Sequence, residues 1–273
     1  MRMNGFIALV LVALLLPLPA FGETFYLPTA KTPDELDMLN VGTVTRISKP
    51  DIITLADGQS YHLIGIRVPV YFSQDAIDFL SLLLLNKKVA LFGNKAIPEG
   101  REDRFGNINA HVILEDGTWV QAALVNRGLA WVSSTETNRE LVTELYVHEE
   151  MARKTRTGLW AKADYAVRDA NMADNSGYNS FQIYKGTILD VATNDSVTFF
   201  NFGTDRRTDF TMYLPNQYLI HFKPEEKASF KPWSWRGKNV RVRGWVEKNS
   251  GPMILITHPE QVELLDPPPP EKK

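Results

Sequence analysis

Cysteine is absent from the 273-residue chain, which removes disulfides, thiolate zinc sites and thiol nucleophiles together. Histidine is scarce: the five are scattered, with no H-E-x-x-H spacing or other close pair, so no dedicated transition-metal site is written in the sequence. Long hydrophobic runs are missing too. The run at 6–16 falls short of the roughly 20 apolar residues a spanning helix needs, and no later segment approaches that length; 82–85 is shorter still and stops at Asn86-Lys87-Lys88. Neither charge sign dominates, since 30 Lys and Arg oppose 32 Asp and Glu for a formal charge of −2. This excludes a wholesale polycation and leaves a local basic face as the only electrostatic route to a polyanion.

What is present is apolar and aromatic. A composition 44% hydrophobic and 11% aromatic supports one large domain or two ordinary ones with real cores. Residues 1–22 combine Arg2, the apolar run, Pro17 and Pro19 as breakers, and small Ala20 and Gly22. That is the pattern of a secretory signal peptide cleaved after Gly22, which predicts a periplasmic or secreted protein without a transmembrane span. No Cys follows the run to carry a lipid anchor. Residues 23–41 read as a polar lead draped over the surface.

The most informative stretch is 101–132. Phe105-Gly106-Asn107 forms a turn, 109–114 alternates as a half-buried strand, and Asp116-Gly117 closes a hairpin. A helix with Val120, Ala123 and Leu124 on one side then ends at Gly128. Before it, 43–46, 52–55 and 60–66 form a three-stranded meander. A helix over 74–85 starts at Ser73, with Phe79, Leu80, Leu83 and Leu84 as its stripe, and 88–92 is a fourth strand. After it, 138–157 is an amphipathic helix bearing Leu141, Leu145, His148 and Ala152, stopped by Gly158. The expected fold is mainly β with helices: a five-stranded OB-type barrel capped by helices over 42–165.

The order of Gly42-Thr43-Val44, Leu55-Ala56-Asp57-Gly58, Leu63-Ile64-Gly65-Ile66 with Pro69, Arg104-Phe105-Gly106, Leu124-Val125-Asn126-Arg127-Gly128-Leu129-Ala130 and Thr157-Gly158-Leu159-Trp160 resembles the staphylococcal nuclease-like (thermonuclease) domain over roughly 40–162. The resemblance implies a calcium-dependent phosphodiesterase acting on DNA and RNA, in which carboxylates hold the ion, two arginines grip the phosphate and a glutamate assists the attacking water. Carried across, most of that set is missing. The family's Asp-Gly-Asp-Thr turn falls on Lys49-Pro50-Asp51-Ile52, leaving Asp51 as the one candidate metal ligand. The first phosphate arginine falls on His62, and the second on Asn107. The Asp-Thr-Pro-Glu loop becomes Arg67-Val68-Pro69-Val70, and Asp103 matches an acidic position of the family. Lys49 and Arg67 in place of two carboxylates predict a neutral or positive pocket, poor for calcium and open to phosphate. Arg101, Arg104 or Arg67 could replace the missing arginines from other backbone positions. His62 could act as a base, although a lone strand histidine, His111 included, is more often a packed residue.

Residues 166–180, rich in Asp, Asn, Ser and Gly, read as a linker. Strands at 182–190, 196–202, 210–214, 239–245 and 253–257, with an edge segment at 259–265, predict a second OB-like barrel over 181–265 before a Pro-rich tail at 266–273. The stretch 236–265 is similar to the closing strands of nucleic-acid-binding OB modules that follow thermonuclease domains in some bacterial secreted proteins. Alternation in Val240-Arg241-Val242-Arg243 turns the valines inward and the arginines outward, with Arg206, Arg207, Arg236 and Lys238 beside them. Phe199, Phe200, Phe202, Trp233, Trp235 and Trp245 interleave with these cations, as in single-strand binding surfaces. The expectation is an exported, degenerate nuclease that binds single-stranded DNA or RNA, or another phosphate polyanion, without a cofactor. The alternatives are an active calcium-dependent nuclease with rearranged residues and a cell-envelope protein-interaction module.

Overall fold

The structure, a computed structural model, describes residues 36–94, 100–172, 177–205, 207–222 and 231–265. The expected signal peptide, Arg206 and the Pro-rich tail lie outside the described residues.

Strand β1 (Leu36–Lys49) is the longest element of the first barrel, and it pairs along its second half with β2 (Ile52–Leu55). Strand β3 (Ser60–Leu63) continues the meander, and β4 (Ile66–Arg67) leaves it. Helix α1 (Ser73–Leu84) then leads into β5 (Lys88–Asn94) and β6 (Ile108–Leu114). The barrel closes in the order β1-β2-β3-β6-β5, with β3 and β6 parallel. Closure explains why the expected lead is partly strand. Residues 36–43 register against 88–94 of β5, because one long strand must serve both neighbours. Inside lie Val44, Ile53, Leu55, Leu63, Leu91 and Val112, each at most 1% exposed. Burial of this kind is worth about 1.5–3 kcal/mol per large side chain.

Helix α1 buries Ala76, Leu80 and Leu84 as its spacing requires. Its start differs from expectation: Ser73 is the first helical residue, and Phe72, after a 3-10 turn over Val70–Phe72, holds the cap position without a side-chain cap. Asp116-Gly117 turns the chain not into a second strand but into helix α2 (Val120–Asn126), with only a bridge between Ile113 and Trp119. Strand β7 (Trp131–Val132) pairs with β4, and helix α3 (Val142–Lys154) follows, four residues shorter at its start than the amphipathic pattern. Gly128 at φ +61° meets Gly158 at φ +57°, and the Leu159 amide donates to the Gly128 carbonyl at 2.8 Å. A Cβ on Gly128 would stand 2.1 Å from the Thr157 carbonyl oxygen, so backbones touch here where no side chain fits.

The expected linker is largely structured. Strand β8 (Arg168–Asp169) runs parallel to β9 (Phe181–Thr187), and Ala170 is buried in the second core. The expected strand at 182–190 is broken into β9 and β10 (Asp190–Thr193). Strands β11 (Val197–Asn201), β12 (Thr211–Pro215), β13 (Asn239–Lys248) and β14 (Pro252–Leu255) follow, and β15 (Val262–Leu264) pairs beside β13. The order is β10-β11-β12-β14-β13-β9, with β12 and β14 parallel. Since β10 and β9 are one stretch of chain interrupted only by Ile188 and Leu189, the sheet curls back onto itself. Its connectivity repeats that of the first barrel. Phe200, Phe202, Phe210, Val240 and Val242 fill its interior.

Between the barrels lies a third apolar cluster. It holds Phe72, Trp131, Ala152, Leu159 and Trp160 from the first unit and Phe181 and Ile183 from the second.

Candidate functional site

Four of the positions singled out from the resemblance, Asp51, His62, Arg67 and Asp103, come together at one end of the first barrel, where β3 runs between β2 and β6. The register places His62 opposite Ile52 on one side and Asn109 on the other. Asp51, in the β1–β2 turn, brings its carboxylate 3.7 Å from His62 Nε2. Asn109 donates from Nδ2 to the Gly100 carbonyl at 2.9 Å, which turns its Oδ1 toward His62 Nδ1, also at 2.9 Å. That orientation makes Nδ1–H the donor to Asn109 and turns Nε2 toward the Asp51 carboxylate, assigned from the hydrogen-bond network. Burial disfavours the His62 cation, but hydrogen bonding and charge from Asp51, Asn109 and Asp103 outweigh it, and the pKa is raised above the usual histidine value.

Asp103 organises the turn that follows. Its carboxylate accepts from the Phe105 amide at 2.8 Å, the Asn107 amide at 3.0 Å and Asn107 Nδ2 at 2.8 Å. Partial burial works against its charge and is overcome by these donors, so its pKa lies below the ordinary carboxylate value. Asn107, at the arginine position, is therefore a brace for Asp103. The turn presents Phe105 at 66% exposure, and two cations lie over its ring: Lys49 Nζ at 5.1 Å from the centroid and the Arg104 guanidinium at 4.8 Å. Arg101 is exposed on the same loop. The structure thus gathers Lys49, Arg104 and Phe105 into a rim beside the Asp51–His62 pair.

Arg67 does something else. Its guanidinium lies over Phe181 at 5.3 Å and Trp245 at 5.2 Å, cross-strand partners in β9 and β13 of the second barrel. Burial lowers its pKa, partly offset by the charge of Asp51. Val70, where the family has its glutamate, is 91% exposed and offers no proton-accepting group.

A cleft of ≈ 860 Å³ runs from Asp51, His62 and Asp103 past Arg67 to Trp245, Glu247 and His258. Its charge corrects the expectation of a neutral or positive pocket. Among the described residues, Asp51, Asp103, Glu136 and Glu247 line it, against Arg67 as the one Lys or Arg. The basic surface is the rim, not the cleft.

Calcium does not fit these residues. It seeks six to eight oxygens, several of them anionic. Here Asp51 faces His62, and the Asp103 carboxylate already accepts three hydrogen bonds. Among the described residues, no group of three or more His, Asp and Glu could hold a metal ion.

The second-barrel candidates divide. Trp245 is half exposed in the cleft and Trp233 is exposed, whereas Phe200 and Phe202 are core. Arg207 is exposed in the 203–209 loop that packs against Gly251. Arg243, expected to point into water, is 1% exposed. The first unit packs on that face of β13, and Arg243 donates to both Glu149 oxygens at 3.0 and 2.9 Å, to Glu263 at 2.6 Å and to the Val132 carbonyl at 2.8 Å. Burial opposes the charge, and Glu149, Tyr146 and Glu263 more than compensate, raising the pKa. Arg241 is likewise bound, to Glu263 at 2.9 Å. Both leave the nucleic-acid-facing set and become part of the seam between the barrels, with Arg139 paired to Glu260 at 2.6 Å and Ser134 bonded to His258 at 2.7 Å. The sequence signal for this seam was Glu149, a carboxylate beside the apolar stripe of α3, which is 0% exposed.

The first unit is thus a closed five-stranded barrel with one parallel pairing, β3 with β6, and with α1 between its third and fourth strands in chain order. Residues 63–162 match the family model described as Staphylococcal nuclease homologue. That stretch of the first barrel is similar to staphylococcal nuclease. No curated protein matches the chain. Among the described residues, no helix is long and apolar enough to cross a membrane.

Proposed function

We propose that this protein binds nucleic acid, or a similar phosphate polyanion, through a nuclease-like barrel that has lost calcium-dependent hydrolysis. The observation that carries the reading is the rim: an exposed Phe105 with Lys49 and Arg104 over its ring, next to a site where Arg67 is engaged by the second barrel and Val70 stands in place of a carboxylate. An aromatic face flanked by cations stacks an unpaired base and grips its phosphates. The four cleft carboxylates repel a polyanion and favour the rim as its track. The expected signal peptide supports export, so the periplasm or the medium is the proposed location. Titration of a labelled single-stranded oligonucleotide with purified protein tests the reading. Phe105→Ala is expected to weaken binding about tenfold or more, with unchanged circular dichroism. Binding indifferent to both Phe105→Ala and salt would sink it.

A further inference from the structure

Arg67 and Glu136 line one cleft with opposite charges, and among the described residues neither forms an ion pair. The Arg67 guanidinium is held flat against Phe181 and Trp245, but ring faces leave its N–H donors without an acceptor oxygen, and its Nε is buried with no hydrogen-bond partner. Asp51 acts on it through charge alone. The other three cleft carboxylates are engaged: Asp51 faces His62 at 3.7 Å, Asp103 accepts from Phe105 and Asn107, and Glu247 accepts from the Tyr213 hydroxyl at 2.9 Å. Glu136 is left over. Two residues on, Asn138 is 6% exposed at the cleft wall; its Nδ2 donates to the hydroxyls of Thr135 and Thr137 at 3.5 and 3.3 Å, while its Oδ1 meets no donor. A buried acceptor without a donor is uncommon, and it points to one brought by a ligand. These groups are neighbours by topology. Arg67 pairs with Trp131 between β4 and β7, and the Ser133 amide donates to the Gly65 carbonyl at 2.9 Å, so the 133–138 loop leaves the same two-stranded ribbon that carries Arg67.

We propose that the cleft between the barrels binds a short peptide by its two free ends, the terminal carboxylate on Arg67 and the terminal ammonium on Glu136 and Asn138 Oδ1. A planar guanidinium matches the two oxygens of a carboxylate, and one already fixed by stacking loses little freedom in binding it. An ammonium has three donors and no acceptor, which suits a carboxylate together with an amide oxygen. One charged end alone would leave either Arg67 or Glu136 unpaired; a zwitterion answers both. Ile64, Ile66 and Val68 line the same cleft and offer apolar surface to the peptide's side chains. Its volume of ≈ 860 Å³ lies within the roughly 300–1,000 Å³ of small-molecule sites. A polynucleotide carries no ammonium, so this site is separate from the rim, and neither Phe105 nor Lys49 takes part in it.

The test is isothermal titration calorimetry of the purified protein with alanine and with its linear di-, tri- and tetrapeptides, which differ in the separation of their charged ends. Binding is expected for at least one length with both ends free. At that length, N-acetylation and C-amidation should each lower affinity about tenfold or more, because each removes one charged hydrogen-bonding end. These blocked peptides are compared on the unaltered protein, so the result does not depend on how a variant folds. Glu136→Gln should weaken the free peptide by a similar factor, whereas Glu115→Gln, exposed outside the cleft, should leave it within about twofold. Absence of binding by every free-ended peptide overturns the proposal. Affinity that survives either block also overturns it, by showing that only one charged end is held. Oligonucleotide binding at the rim, read with Phe105→Ala, stands or falls separately from each of these results.

Discussion

Arg243 has exchanged all of its water for the Glu149 carboxylate, Glu263 and the Val132 carbonyl, and the ring of Tyr146 lies 4.3 Å beneath its guanidinium. Removing one member of such a pair strands the other charge in a dry seam, at a cost of about 3–5 kcal/mol. Arg243→Ala is therefore expected to lower the unfolding free energy by that amount, read from a lower urea midpoint. A loss under about 1 kcal/mol would show that the seam takes up water. His111 makes a second prediction. It is 1% exposed against Trp119, and burial, opposed by the Glu140 backbone, lowers its pKa to about 4. The unfolded chain takes up a proton below about 6.5 that the folded protein refuses until about 4. The contribution of His111 to stability is thus complete above pH 6.5 and falls as pH drops through that window, by about 3 kcal/mol. His111→Leu should flatten the decline; an unchanged pH profile would exclude His111 as its source.

At the scale of elements, the Gly128–Gly158 contact joins the end of α2 to the turn after α3. Both glycines have positive φ, and a Cβ on Gly158 would lie 2.3 Å from the Gly128 carbonyl oxygen. Gly128→Ala and Gly158→Ala are each expected to destabilise by more than about 1–2 kcal/mol, since left-handed strain and a backbone clash act together. Differential scanning calorimetry would read this as lowered melting temperatures. Gly58→Ala, with open space at its Cβ, bears only the conformational cost and should fall less. These elements were legible in the sequence because their signals are local: Gly128 and Gly158 punctuate helices, Leu80 and Leu84 keep helical spacing, and Val240 and Val242 alternate. What was not legible is non-local. The alternation of 240–243 correctly separates valines from arginines, but cannot show that α3 covers the arginine face. Likewise, nothing local tells that residues 36–41 pair with β5 or that 168–170 joins the second barrel.

On the scale of the whole molecule, two barrels of like connectivity share a seam of aromatic packing and buried ion pairs, and Arg67 reaches across to Phe181 and Trp245. The seam predicts a single cooperative unfolding transition with coincident circular dichroism and tryptophan fluorescence. Two separated transitions would mean that the barrels unfold independently. The site was half legible for the same reason as the fold. The loss of the family's carboxylates could be read at Lys49, Arg67 and Val70, and that of its second phosphate arginine at Asn107, whereas the acidic cleft and the Phe105 rim arise only when distant loops meet. The most direct measurement is a titration of a labelled single-stranded oligodeoxynucleotide in calcium and in chelator, at increasing salt. The account predicts equal affinity and no cleavage with either additive. It also predicts a steep loss of affinity with salt, and a logarithmic slope shallower by about 0.7 for each phosphate contact removed in Lys49→Ala and Arg104→Ala. Calcium-stimulated cleavage that disappears in Asp51→Ala would contradict it.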